Sequence, residues 1–339
     1  VFILNGADYV TINGSISGTS NSICPPVSAS RDLTISNTNT GTSSAVIWLQ
    51  TNAADGATNN AILNCNIVGN STTTTLVGIG SGSSTIGTSS LGTGNNNNSF
   101  ENNNIRAVQV GIYSQGASAA NKNTGTSIKQ NQMNFPSGFN QNIRTAAVFV
   151  GFENNINISG NNIGSVNGSG GDGFGIACGS IGISTSTFTG NEVINATITN
   201  NKIDSIRAAS TFSVSGIYIV TATNAGTNLI ANNVISNNAI NGTSGDFGSG
   251  IFIGGGAVTT NVYYNSVSIT GTFTGGNQPN FAFAIGGSNP VVDVRNNAFY
   301  ATAVNGGGTG LGIGAYAVGY GYSTFTSLTS NNNDYFTSG

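Results

Sequence analysis

Four hexapeptides in the second half of the chain decide the fold: ITNNKI at 198–203, IANNVI at 230–235, VYYNSV at 262–267 and VRNNAF at 294–299. Each sets an apolar residue three positions before an asparagine and another two positions after it. The asparagines, Asn201, Asn233, Asn265 and Asn297, stand 32 residues apart. With looser steps the pattern runs upstream through Asn103, Asn131 and Asn161, preceded by Phe100, Ile128 and Ile158 and followed by Ile105, Met133 and Ile163. Fainter copies pair Val10 with Asn13, Leu33 with Ser36, Ile62 with Cys65 and Leu328 with Asn331. Together they make about eleven turns of a period that marks stacked repeats.

A second signature recurs between these units, a small residue followed by alternating apolar positions. Examples are AVFVGF at 147, GIYIV at 216, GIFIG at 250 and FAFAIG at 281. It reads as a further strand per turn, joined by Gly/Ser/Thr/Asn loops of variable length, longest at 80–99 and 178–196. A coil that turns between short strands needs a residue tolerant of left-handed backbone angles, and Asn is the best choice after glycine. Stacked about 4.8 Å apart, the side-chain amides can bond along the axis. The expectation is therefore an asparagine ladder at a corner, Asn103, Asn131, Asn161, Asn201, Asn233, Asn265 and Asn297. A half-occupied column one residue earlier (Asn102, Gln130, Asn200, Asn232, Asn296) fits the same turn, and Ile163, Ile203, Ile235 and Val267 are expected in one inward stack.

Units of this form resemble the repeats of right-handed parallel β-helices, over nearly the whole chain. The resemblance implies an all-β, right-handed parallel β-helix of about eleven coils, period about 32 residues, as a single solenoid domain over 1–339. The composition supports it: 52 Asn and 50 Gly among 339 residues, 37 % hydrophobic and 6 % charged, with no stretch that holds a helical period. The Asn/Gly/Thr/Ser bias and the opening VFILNGADYVTINGSISG are further similar to large surface proteins of gliding and related Gram-negative bacteria, exported by the type IX secretion system. That likeness implies an extracellular, cell-surface location and a structural or adhesive rod or filament that meets surface glycans. The chain opens without Met or signal peptide on apolar VFIL, where a solenoid carries a polar cap, so the reading is a segment of a longer chain or a subunit that stacks end to end.

The absence of His removes the commonest general base and metal ligand, and no acidic cluster suited to calcium stands in the sequence, so no metal or cofactor is expected. A net charge of −3 offers no basic stripe for nucleic acid, and apolar runs such as AAVFV at 146–150 are too short to span a membrane. Many β-helices of this kind degrade polysaccharides, which usually needs two carboxylates on one face. The best pair is Asp172 with Asp246, in SGGDGFG and TSGDFGSG, two coils and roughly 10 Å apart, with Ser210 and Thr211 between. They read as loop-turn aspartates, with a calcium or sugar contact as the speculative ligand-binding alternative.

Lys202, Asp204 and Arg207, with Glu192 in the preceding loop, form a second cluster read as an exposed ion pair of Lys202 with Asp204. Asp204-Ser205-Ile206 resembles an acceptor motif for O-linked sugars in such bacteria. Tyr113, Tyr218, Phe252, Phe283 and Tyr316 recur in the second signature, with Tyr263, Tyr264 and Tyr300 elsewhere; about half are expected inside, the rest a sugar-stacking surface. Cys65 replaces an asparagine in the column and reads as a buried thiol; it could pair with Cys24, and with Cys178 the odd total leaves one free. The expectation is a non-catalytic rod, the alternative a polysaccharide-binding or polysaccharide-degrading enzyme; ice binding lacks the flat Thr array it needs.

Overall fold

The computed structural model describes residues 1–339 except 17–29, 54, 135–141, 169–170, 181–189, 209–211, 222–225, 239–245, 257, 274–277, 288–289, 306–313, 322–323, 325 and 339. Its described residues contain strands and no helix. Three all-parallel sheets of ten strands each run the length of the molecule, and the chain visits them in turn, so the described residues form a parallel β-helix of ten coils. One coil illustrates the path: Val214–Thr221 in the first sheet, Thr227–Ala231 in the second, Val234–Ser236 in the third. The two sequence signatures thus yield three strands, because the asparagine corner splits the first signature between sheets two and three. The count is ten because the Val10/Asn13 and Leu33/Ser36 copies lie on one coil: Ile12 pairs with Ile62 and Leu33 with Cys65.

From the second coil to the ninth, all three strands send apolar side chains into one shared core. Ile176, Ile217 and Ile251 are in register in the first sheet. Ile158, Ile198 and Ile230 do the same in the second, and Ile163, Ile203, Ile235 and Val267 in the third. All are buried, the last four at 2 % exposure or less, as their spacing predicts. Each such side chain contributes about 1.5–3 kcal/mol by leaving water.

The outer face of the first sheet is buried as well. Trp48, Tyr113, Phe149, Phe174, Tyr218 and Phe252 form a second apolar layer there. Their rings stack along the axis, Trp48 on Tyr113 at 5.8 Å and Tyr218 on Phe252 at 5.0 Å between centroids. Loop 83–90 closes over the layer: Trp48 Nε1 donates to the Ser83 carbonyl and the Tyr113 hydroxyl to that of Ser90. Tyr113, Tyr218, Phe252 and Phe283 are therefore interior rather than a sugar-facing surface, while Tyr264 and Tyr300 remain exposed. Gly80 pairs with both Trp48 and Tyr113, and a Cβ there would lie 2.1 Å from the indole, so only glycine lets the tryptophan reach across to the tyrosine.

Candidate functional site

The asparagine column is a continuous hydrogen-bonded ladder at the corner between the second and third sheets. Asn233 shows the repeating unit. Its Oδ1 accepts from the backbone N–H of Asn201 and from Asn201 Nδ2, both at 3.0 Å. Its Nδ2 donates to the Ile198 carbonyl at 2.9 Å and to Asn265 Oδ1 at 3.0 Å. The same pattern links Asn103, Asn131, Asn161, Asn201, Asn233, Asn265 and Asn297, all at most 3 % exposed. The donors and acceptors of the buried amides are thereby engaged within the column.

Two expectations about this corner are corrected. The left-handed residue is the one before each ladder asparagine, Asn102, Gln130, Asn200, Asn232 and Asn296 at φ between 52° and 58°, joined by Tyr264 and Gly160. One residue bends the chain and the next, so aimed inward, makes the bonds. At the carboxyl end the rung is Asn333, which accepts from the Asn297 N–H, not Asn331, because Leu328 pairs with Val292. At the other end Cys65 holds the column, its N–H on Asn103 Oδ1 and its thiol on the Leu63 carbonyl. Cys65 and Cys178 are buried free thiols, which removes the pairing of Cys65 with Cys24; Cys24 itself lies outside the described residues.

Further amide rungs lie at other positions, two of them upstream in each coil. Counting back from the ladder asparagine, five residues earlier stand Asn60, Asn98 and Asn228, and eight residues earlier Asn95 and Asn123. Asn98 Oδ1 takes the Asn60 N–H and Asn123 Oδ1 takes the Asn95 N–H. These columns alternate with Thr, Ile, Ala and Val, so their period is visible only once the main ladder sets the register.

The fold does bring Asp172 and Asp246 together, around Ser213 of the coil between them. The Ser213 N–H donates to Asp172 Oδ1 at 2.9 Å and its hydroxyl to Asp246 Oδ1 at 3.0 Å, while Ser213 Oγ accepts from the Phe247 N–H. Asp172 is 6 % exposed, so the arrangement stitches three coils. Ser210 and Thr211 lie outside the described residues.

The second cluster disperses. Glu192 reaches back to Lys122, 2.8 Å away, with both side chains buried. Asp204 makes no ion pair with Lys202 within 4 Å; among the described residues the ion pairs are Lys122–Glu192 and Arg295–Asp293. Asp204 instead accepts from Ser236 Oγ, Asn237 Nδ2 and Ser205 Oγ. Partial burial pushes its carboxyl up, but those bonds and the Lys202 charge outweigh it and hold the carboxyl below its ordinary value. Short polar neighbours on the next coil are closer partners than a long exposed lysine. Ser205, half-buried at φ 56°, edges a shallow depression of about 150 Å³ with Asn142, Ser165, Val166, Asn167 and Arg207.

The residue that sequence reasoning passed over is Glu153. Its side chain is fully buried, with Ser114 Oγ at 2.6 Å and Asn123 Nδ2 at 3.5 Å from Oε1, and Thr126 Oγ1 at 2.9 Å from Oε2. It stands eight residues before Asn161, the position of Asn95 and Asn123 in their coils, and that spacing is the signal for it. Burial pushes its carboxyl up to about 7 against the three donated bonds. Burial and the Glu153 charge likewise push the Cys178 thiol well up. Comparison with family models, with curated proteins and with solved structures finds no match.

Proposed function

We propose that the chain is a non-catalytic structural or adhesive rod segment of a secreted bacterial cell-surface protein or filament. The observation that carries this reading is the unbroken ladder from Asn103 to Asn333, which devotes a buried polar column to axial continuity rather than to a ligand. At about 4.8 Å per coil, ten coils make a rod about 50 Å long. The carboxylates best placed for chemistry, Asp172 and Asp246, are both engaged by Ser213. Export by the type IX system rests on the likeness of composition described above.

Open strand edges support axial contact, with further coils of the same polypeptide or a neighbouring copy. Phe2, Ile3 and Leu33 are exposed at one end and Tyr335 and Phe336 at the other. Glycan adhesion is favoured by the exposed rings of Tyr264, Tyr300 and Phe336, the last two stacked at 4.8 Å. Incubation of the purified chain with a panel of acidic polysaccharides, assayed for new reducing ends and unsaturated sugars, tests the non-catalytic reading. No turnover is expected. Turnover abolished by Asp172→Asn or Asp246→Asn would replace it with the alternative, a polysaccharide-degrading enzyme.

A further inference from the structure

We propose that Glu153 is a proton-operated latch, which closes the corner shared by the fourth, fifth and sixth coils in mild acid and loosens it when the carboxyl ionises. The amide column running through Asn95 and Asn123 arrives at Glu153 and stops there, because the next residue in register is Val193. A ladder rung must accept from the coil before it. Glu153 does so through Oε1, from Asn123 Nδ2 and Ser114 Oγ, and Oε2 faces Thr126 Oγ1.

These partners suit either protonation state in geometry. A neutral carboxyl donates its O–H to the Thr126 or Ser114 hydroxyl oxygen and still accepts from Asn123, as a hydroxyl can donate or accept. In energy they suit the neutral state better. An ionised carboxylate here is fully buried and, among the described residues, in no ion pair, a situation proteins relieve by neutralising the group or admitting water. The Cys178 thiol, whose ionisation the Glu153 charge opposes, is kept protonated by burial and supplies no positive charge. The charged residues next to its flanking partners, Lys122 beside Asn123 and Glu192 beside Val193, neutralise each other at 2.8 Å. Tyr113 precedes Ser114 but lies in the separate apolar layer outside the sheet. Burial raises the group's proton affinity into the neutral range, so the change of state falls within ordinary extracellular conditions.

The consequence is local. The extra three-stranded sheet of Asn123–Thr124, Glu153–Asn154 and Val193–Ile194 is the element the latch closes. Hydrogen exchange of the intact chain, corrected for intrinsic rates, reads it directly. Between about pH 5.5 and about pH 8 the amides of these three strands should lose at least about tenfold protection, while those around Asn233 should not. Glu153→Gln, which keeps an acceptor and adds a donor, should abolish the difference; an equal loss in the variant overturns the proposal. A measurement on the wild type needs no variant. Infrared spectra with isotope-labelled Glu should show one protonated carboxyl that titrates near neutrality, and complete ionisation of every Glu by about pH 5.5 would overturn the proposal.

Discussion

Replacing Asn233 by Ala removes four hydrogen bonds in a single step. Two are accepted from Asn201, through its N–H and its Nδ2, and two are donated, to the Ile198 carbonyl and to Asn265 Oδ1. Their loss is unequal in cost. Asn201 Nδ2 keeps its bond to the Ile158 carbonyl, and Asn265 Oδ1 keeps the Asn233 N–H. The Asn201 N–H loses its acceptor in a site where Asn201 is 1 % exposed, and an orphaned buried donor costs about 1–3 kcal/mol. Adding about 1 kcal/mol for the weakened neighbours and the small cavity gives a destabilisation of about 3 kcal/mol. No part of it comes from backbone strain, because the left-handed residue is Asn232 at φ 56°. Asn232→Ala should accordingly cost only about 1–2 kcal/mol, and Asn232→Gly should be near neutral. A solenoid opens in segments, so native-state hydrogen exchange at the Asn201 and Asn233 amides, together with urea melts, is the suitable assay. An Asn233→Ala chain within about 0.5 kcal/mol of wild type, or one less affected than Asn232→Ala, would refute the division of roles at this corner.

Gly80→Ala should destabilise by about 2 kcal/mol or more and shift tryptophan fluorescence, since the new Cβ meets the Trp48 ring at 2.1 Å; an unchanged emission spectrum would contradict the packing of Trp48 across Gly80. Stability should fall as pH rises from Glu153's ordinary value of 4.5 to about 7, because its folded-state proton affinity is the higher, for a total of about 3 kcal/mol; pH-dependent urea melts of wild type against Glu153→Gln read this directly. Asp204 acts in the opposite sense and lower down: its folded-state carboxyl lies below 3.8, so its contribution is present above that value and lost in stronger acid. Thiol alkylation of the native chain should spare Cys65 and Cys178 and reach both after unfolding; rapid native labelling of either would contradict their burial.

Much of the fold was legible because the same local requirement recurs in coil after coil. A residue that must fill one amide rung and two that must point inward leave an invariant spacing, so Asn201, Asn233, Asn265 and Asn297 could be aligned without coordinates, as could the burial of Ile203 and Ile235. The secondary columns were harder to see, since Thr126, Ala196 and Thr260 stand where Asn60, Asn98 and Asn228 stand in other coils. At the end coils the spacing misled: three consecutive asparagines at 331–333 offered three registers, and only strand pairing selected Asn333.

By itself, then, the sequence determined the period, the inward apolar stacks and the amide ladder, features that repeat and so can be read by alignment. Only the tertiary structure decided that the residue before each rung takes the left-handed turn, since both columns are rich in Asn and composition cannot separate bending from bonding. It also decided what the variable loops cover and join: Ser83 and Ser90 over Trp48 and Tyr113, Glu192 against Lys122, Asp172 and Asp246 on Ser213. Glu153 is divided between the two: its place in a column is set by the spacing it shares with Asn95 and Asn123, whereas its burial arises from partners 27 to 39 residues away. The physical reason for the loop contacts is that loops of unequal length carry no period, so which residues they bring together is set by closure in space and not by spacing along the chain.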